Sequence, residues 1–151
     1  MRLTGVHHVT LSVTDLDGTA TWYRDVLGFK DMLRYRNDSI GGMCHIVTHP
    51  YIDGFILSFM QWDAPNGTPF DEHALGLDHL SFGVGDRAAL EAWRQRLDNQ
   101  NVDYSITELP ELSVLVLRDP DNIQLELCTS IVSEEDRGTI DEAGRIRLPE
   151  S

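Results

Sequence analysis

Three side chains of this sequence have the chemistry to bind a divalent metal ion together: His8, His79 and Glu126. Each lies in a segment where polar and apolar residues alternate, which is typical of a half-buried β-strand. Two imidazoles and one carboxylate suit a borderline divalent metal and leave coordination positions open for substrate oxygens or water. A single strand histidine is usually structural. The prediction therefore depends on a fold that brings the three together.

An internal repeat relates the two histidines. Shifting the sequence by 71 residues aligns His8 with His79 and Trp22 with Trp93. Repeats of this kind indicate duplicated structural units, and the apolar patterning of each half predicts the order β-α-β-β-β. Because equivalent strands of two related units lie around a common axis, we expect His8, His79 and Glu126 to converge on one concave polar face.

A second alignment, offset by 68 residues, places Ser58 of FILSF opposite Glu126 of QLELC. The leucines beside Glu126 should face the helices, so Glu126 itself faces the polar side. A serine hydroxyl is a weak ligand for such an ion, which predicts a metal site that is open next to Ser58. The predicted substrate-pocket residues, which share this polar face by strand alternation, are Thr10, Ser58, Ser81 and Cys128.

The patterning divides the chain into two modules and a tail. Module one covers residues 1–62, a polar linker rich in proline and glycine covers 63–75, and module two covers 76–130. The tail over 131–151 is polar and charged. Since neither module alone closes a core, we predict a single α+β domain over residues 1–130, built from paired βαβββ modules.

The element boundaries follow from the same patterns. Helices are predicted over 19–27, after a capping segment at Asp15 and before Gly28, and over 87–98. The turn between the last two strands is predicted at 119–122. The predicted strands are 6–13, 29–36, 43–49, 54–62, 76–84, 113–118 and 122–129.

Composition excludes several classes of function. With 12 Lys and Arg against 25 Asp and Glu, the net charge is −13, which opposes nucleic acid and anionic membranes as partners. No run of 18 apolar residues occurs, and the N-terminal stretch lacks the continuous apolar region of a signal peptide. Two cysteines do not make a disulfide framework. We expect a cytoplasmic protein whose partner is a small-molecule substrate.

These motifs, taken in order, resemble the vicinal oxygen chelate superfamily, which includes glyoxalase I, extradiol dioxygenases, fosfomycin-resistance transferases and bleomycin-binding proteins. The resemblance covers residues 3–129 and is carried by GVHHVTLSVTDLDGTATWYRDVLGF, GLDHLSFGV and RDPDNIQLEL. It implies paired βαβββ modules that form a cupped, barrel-like mixed sheet around a divalent metal ion (Fe(II), Mn, Zn, Ni or Co). It places the ligands at His8, His79 and Glu126 and implies a homodimer, in which the two modules of one site come either from one chain or from both.

The resemblance implies a metal-dependent enzyme that chelates the oxygens of a small oxygenated metabolite, as a dioxygenase or a glyoxalase-like lyase or isomerase. Ser58 stands where glyoxalase I enzymes carry a carboxylate, which argues against their usual mechanism. A fosfomycin-type thiol transferase is an alternative, although ITELPELSVLV replaces that group's potassium-binding loop. A small-molecule (antibiotic) binding or resistance protein is another, because no general base or nucleophile is identifiable and the catalytic residues are unassigned.

Overall fold

Two cupped four-stranded mixed sheets, each with one helical segment, form the structure. It is a computed structural model that describes residues 3, 5–65, 67–108 and 112–129. The predicted α+β class and paired βαβββ modules are confirmed, but the two sheets do not close into a barrel. The predicted tail over 131–151 lies outside the described residues. Within the described part of the chain, neither helix is long and apolar enough to cross a membrane.

The first sheet has the strand order β1-β4-β3-β2. Its strands are β1 (Val9–Ser12), β2 (Lys30–Asn37), β3 (Gly42–Thr48) and β4 (Ile56–Trp62). β1 runs parallel to β4, and this pairing places Thr10 beside Ser58. The other two pairings are antiparallel. Because β1 is an edge strand, one of its sides is not paired to a neighbouring strand.

The helix of module one begins three residues earlier than the pattern predicts. Helix α1 spans Leu16–Trp22 and continues as a π-helical turn over Tyr23–Leu27. The Asp15 side chain caps it by accepting a hydrogen bond of 3.1 Å from the Gly18 amide. The predicted end is confirmed, because Gly28 has a left-handed φ of 83°. The expected cap at Asp15 therefore lies directly before the helix. The apolar periodicity does not reveal the first turn, so the predicted start falls too late.

The second sheet repeats this arrangement in the order β5-β8-β7-β6. Its elements are β5 (Leu80–Gly85), helix α2 (Arg87–Asn99), β6 (Tyr104–Glu108), β7 (Ser113–Arg118) and β8 (Gln124–Thr129). The prediction left out β6, a short edge strand whose sequence YSITE is mostly polar. β5 runs parallel to β8, which places Ser81 beside Glu126.

The apolar faces of both sheets and the two helices share one core. Leu11 and Phe59 of the first sheet belong to the same buried cluster as Leu115 and Leu127 of the second. The helical segments of the two modules are also in contact, since the Arg96 guanidinium donates hydrogen bonds of 2.7 Å to two backbone carbonyls of the π-helical turn. Strand alternation then points the polar face of each sheet away from this common core.

A buried carboxylate fastens module one to the last turn of module two. The Tyr23 hydroxyl donates to Asp119 Oδ2 at 3.0 Å, while Asp119 Oδ1 accepts from the amides of Asp121 and Ile123. Burial raises the pKa of Asp119 to about 6, although these three hydrogen bonds oppose the shift. The predicted turn at 119–122 is confirmed, with Asn122 at a φ of 68°. This turn positions the start of β8 and hence Glu126.

Candidate metal site

Strand alternation places the predicted pocket residues on the two polar faces, in two pairs. On the first sheet the hydroxyls of Thr10 and Ser58 lie 2.5 Å apart, and Ser58 is buried. On the second sheet the Ser81 hydroxyl lies 2.9 Å from the Cys128 sulfur. Each pair couples the first strand of a module to its last strand. The polar faces therefore carry small hydrogen-bonding groups.

His79 and Glu126 meet on the second polar face. His79 Nε2 lies 3.3 Å from Glu126 Oε2, and the Glu126 side chain is 15% exposed. The other ring nitrogen, Nδ1, lies 2.6 Å from Asp78 Oδ1. We assign the ring proton to Nδ1, because a carboxylate accepts hydrogen bonds and the short distance requires a donor. Nε2 then presents its lone pair to Glu126, and this arrangement fits a cation held between two acceptors.

A chain of hydrogen bonds orients the remaining oxygen of Glu126. Gln124 Nε2 donates to Glu126 Oε1 at 3.5 Å, and Arg118 donates to Gln124 Oε1 at 2.9 Å. Arg118 in turn binds both carboxylate oxygens of Glu72, at 2.5 and 2.9 Å. This bidentate contact lowers the pKa of Glu72 to about 2. The Glu72 carboxylate thus balances the charge of Arg118, and Arg118 is not available to bind an anionic substrate.

His8 lies just before β1, next to the first polar face. Its Nδ1 is 2.9 Å from Nδ1 of His7, and the two rings meet edge to face. Its nitrogens do not join His79 and Glu126 in a group whose ligand atoms all lie within 4.8 Å of one another. A single chain therefore brings together two of the three predicted ligands, and the third lies apart from them.

A second group of metal-ligating side chains lies in the linker: Asp71, Glu72 and His73. It is the one group of three found among the described residues by that distance criterion. Its members already have partners, because Arg118 binds Glu72 and His73 Nδ1 lies 3.0 Å from Asp71. Asp71 and His73 are exposed, so solvent competes for any ion there. This group was not predicted from the sequence, although the run Asp-Glu-His at 71–73 signals it.

Asp78 contacts the candidate ligand His79 and was not predicted from the sequence, although it directly precedes His79 in GLDHLSF. Carboxylates that accept from the second nitrogen of a metal-binding histidine fix its tautomer and orientation. We expect Asp78→Ala to weaken divalent metal binding by about 10- to 100-fold, as measured by calorimetric titration with Mn(II). Asp71→Ala is the matched control, since it removes a carboxylate–imidazole contact of 3.0 Å elsewhere. Wild-type affinity in Asp78→Ala would disprove this role.

Comparison with known proteins identifies the fold family. The model of the Glyoxalase/Bleomycin resistance protein/Dioxygenase superfamily matches residues 5–127. The chain is 26% identical over 144 residues to the "Putative ring-cleaving dioxygenase MhqA" of Bacillus subtilis (strain 168), covering 91% of this chain but 43% of MhqA. The chain thus spans less than half the length of this relative.

Solved structures agree with that match. A glyoxylase/bleomycin resistance protein/dioxygenase domain from Frankia sp. EAN1pec superposes with a TM-score of 0.76 at 35% identity, over 85% of this chain and 99% of that domain. The fosfomycin resistance protein FosX from Listeria monocytogenes, solved in complex with Mn(II) and sulfate, shares the fold with a TM-score of 0.63 at 18% identity, over 90% and 98% of the two chains. With a family model that spans most of its length, the chain belongs to the Glyoxalase/Bleomycin resistance protein/Dioxygenase superfamily.

Proposed function

We propose that this protein is a metal-dependent enzyme that acts on a small oxygenated metabolite. In this proposal, His8, His79 and Glu126 hold a divalent ion. The observation that carries it is the 3.3 Å approach of His79 Nε2 to Glu126 Oε2, with Asp78 occupying the opposite nitrogen of the same ring. A cation between these two acceptors satisfies both. The Mn(II) in the FosX structure supports a divalent ion as the occupant.

We further propose that the site is shared between two copies of the chain in a homodimer. His79 and Glu126 lie on the polar face of module two, whereas His8 lies beside the polar face of module one. Both faces point away from the common core. A two-fold dimer that placed the module-one face of one copy against the module-two face of the other would form two identical sites. The His8 ligand of each site would then come from the second copy.

When bound, the ion would act as a Lewis acid for two neighbouring substrate oxygens. The chain's own residues would position those oxygens. One proton of the Thr10–Ser58 hydroxyl pair holds the two oxygens 2.5 Å apart, and the other proton, with the Ser81 hydroxyl, could donate hydrogen bonds to the substrate oxygens. Ser58 is neutral and buried where a glyoxalase-type base would lie. This favours dioxygenase-like oxygen chelation over glyoxalase-type proton transfer.

Metal analysis tests the proposal. The protein is purified without chelator and its metal content is measured by mass spectrometry, followed by calorimetric titration of the apoprotein with Fe(II), Mn(II) and Zn(II). We expect about one ion per chain for at least one of these metals, since a two-fold dimer has as many sites as chains. If none of the three binds above the level of a heat-denatured sample, the proposal is wrong.

A further inference from the structure

A cleft of about 640 Å³ lies between the edge strand β1 and the linker. This volume falls within the roughly 300–1,000 Å³ of small-molecule sites. The linker is anchored across the cleft, since the Phe70 amide donates to the Asp121 carbonyl and the Asn122 side chain donates to the Phe70 carbonyl. Most of the lining is apolar, and its larger members are Trp62, Pro65, Phe70, Leu75 and Leu77.

The charges of the lining select against anions. Among the described residues that line the cleft none is Lys or Arg, and the two charged ones are Asp71 and Asp121. Asp121 accepts hydrogen bonds from the amide and hydroxyl of Thr14, and Asp71 accepts from the His73 amide. Since both carboxylates already have partners, the cleft offers apolar surface rather than a place for a charged group.

The cleft adjoins the polar face of module one, which the proposed dimer places against the metal ligands of module two in the second copy. Thr10 and Ser12 line it, and Thr10 is bonded to Ser58 on that face. The Trp62 indole also lines it and is fixed by a hydrogen bond of 3.0 Å from its Nε1 to the Ser12 hydroxyl. Leu75 and Leu77 are exposed on its wall, so a ligand in the cleft would cover their apolar surface.

We infer that the substrate is an uncharged, largely apolar molecule that carries its oxygen pair at one end and places its apolar body in this cleft. This inference rests on the proposed function, because the metal holds the oxygen end. Trp62 is then a residue that selects the substrate, and it does so without contributing to metal binding.

Two hydroxamic acids test this inference, because they share one chelating group and differ in their bodies. The Mn(II)-loaded full-length protein is titrated with acetohydroxamic acid and with benzohydroxamic acid. We expect benzohydroxamic acid to bind at least about tenfold more tightly than acetohydroxamic acid. Burial of its phenyl ring contributes more free energy than a tenfold change in affinity requires. 4-Carboxybenzohydroxamic acid, which brings a negative charge into the cleft, should lose this advantage.

Two variants locate the effect. Trp62→Ala should remove the preference for the phenyl ring. The Mn(II) content and the affinity for acetohydroxamic acid should stay within about twofold of the wild-type values, which is small beside the tenfold preference. Tyr51→Ala, which removes an exposed aromatic ring outside the cleft, should keep the wild-type preference. Equal affinities for the two probes in wild type, or a full preference in Trp62→Ala, overturn the inference while Mn(II) still binds. A protein that binds no Mn(II) overturns the proposed function, and the inference with it.

Discussion

Replacing His79 or Glu126 by alanine should abolish stoichiometric binding of a divalent metal ion. In the proposed site each residue would supply one of three protein ligands, and they are the two that face each other at 3.3 Å. The loss should exceed the roughly 10- to 100-fold that follows removal of a residue that only orients a ligand. Calorimetric titration with Mn(II) and metal analysis by mass spectrometry measure it.

His73→Ala is the control for this experiment, because it removes an imidazole from the linker group of Asp71, Glu72 and His73. It should bind metal as the wild type does. Glu126→Gln, which keeps the size of the side chain and removes its charge, separates loss of a ligand from loss of folding. If His73→Ala lost the ion while His79→Ala kept it, the metal would lie in the linker and the proposed site would be wrong.

Much of the fold was predictable because strands such as β1 and β8 bury one face. Alternation in β1 and β8 requires only that Leu11 and Leu127 enter the core while Thr10 and Glu126 do not, and the structure places them so. The repeat then predicts the second module from the first. These are local properties of a strand or of a duplicated unit, so they can be predicted from the amino-acid sequence alone.

Features that depend on hydrogen bonding rather than on apolar periodicity were harder to predict. The first turn of α1 depends on the Asp15 cap, and β6 is an edge strand that exposes most of its residues. The π-helical turn after Trp22 gives no distinct apolar pattern. In each case the stabilising contact is a backbone or capping bond, which many sequences can make.

The sequence predicts candidate ligands, but how they come together depends on contacts between the modules. Residue type and repeat position single out His8, His79 and Glu126, yet the distance of His8 from the other two depends on how the modules pack. That packing is decided by the shared core and by contacts such as Tyr23 with Asp119, which are 96 residues apart in the chain. Long-range contacts of this kind leave no local pattern.

A mixed dimer tests most directly whether the proposed metal site is shared between two copies of the chain. A His8→Ala chain and a His79→Ala chain, carrying different affinity tags, are produced together, and dimers that contain one of each are isolated by purification on both tags. In a shared arrangement, His8 of the second chain and His79 with Glu126 of the first form one intact site. The opposite site lacks both histidines.

With a shared site we expect about one Mn(II) ion in each mixed dimer, against two in the wild-type dimer and none in a dimer of either variant alone. Thermal unfolding of all four dimers, followed by circular dichroism, checks that they are equally folded. If all three ligands came from a single chain, every chain of the mixed dimer would lack one of them. A mixed dimer that binds no ion, while the wild-type dimer binds two, would contradict the shared site.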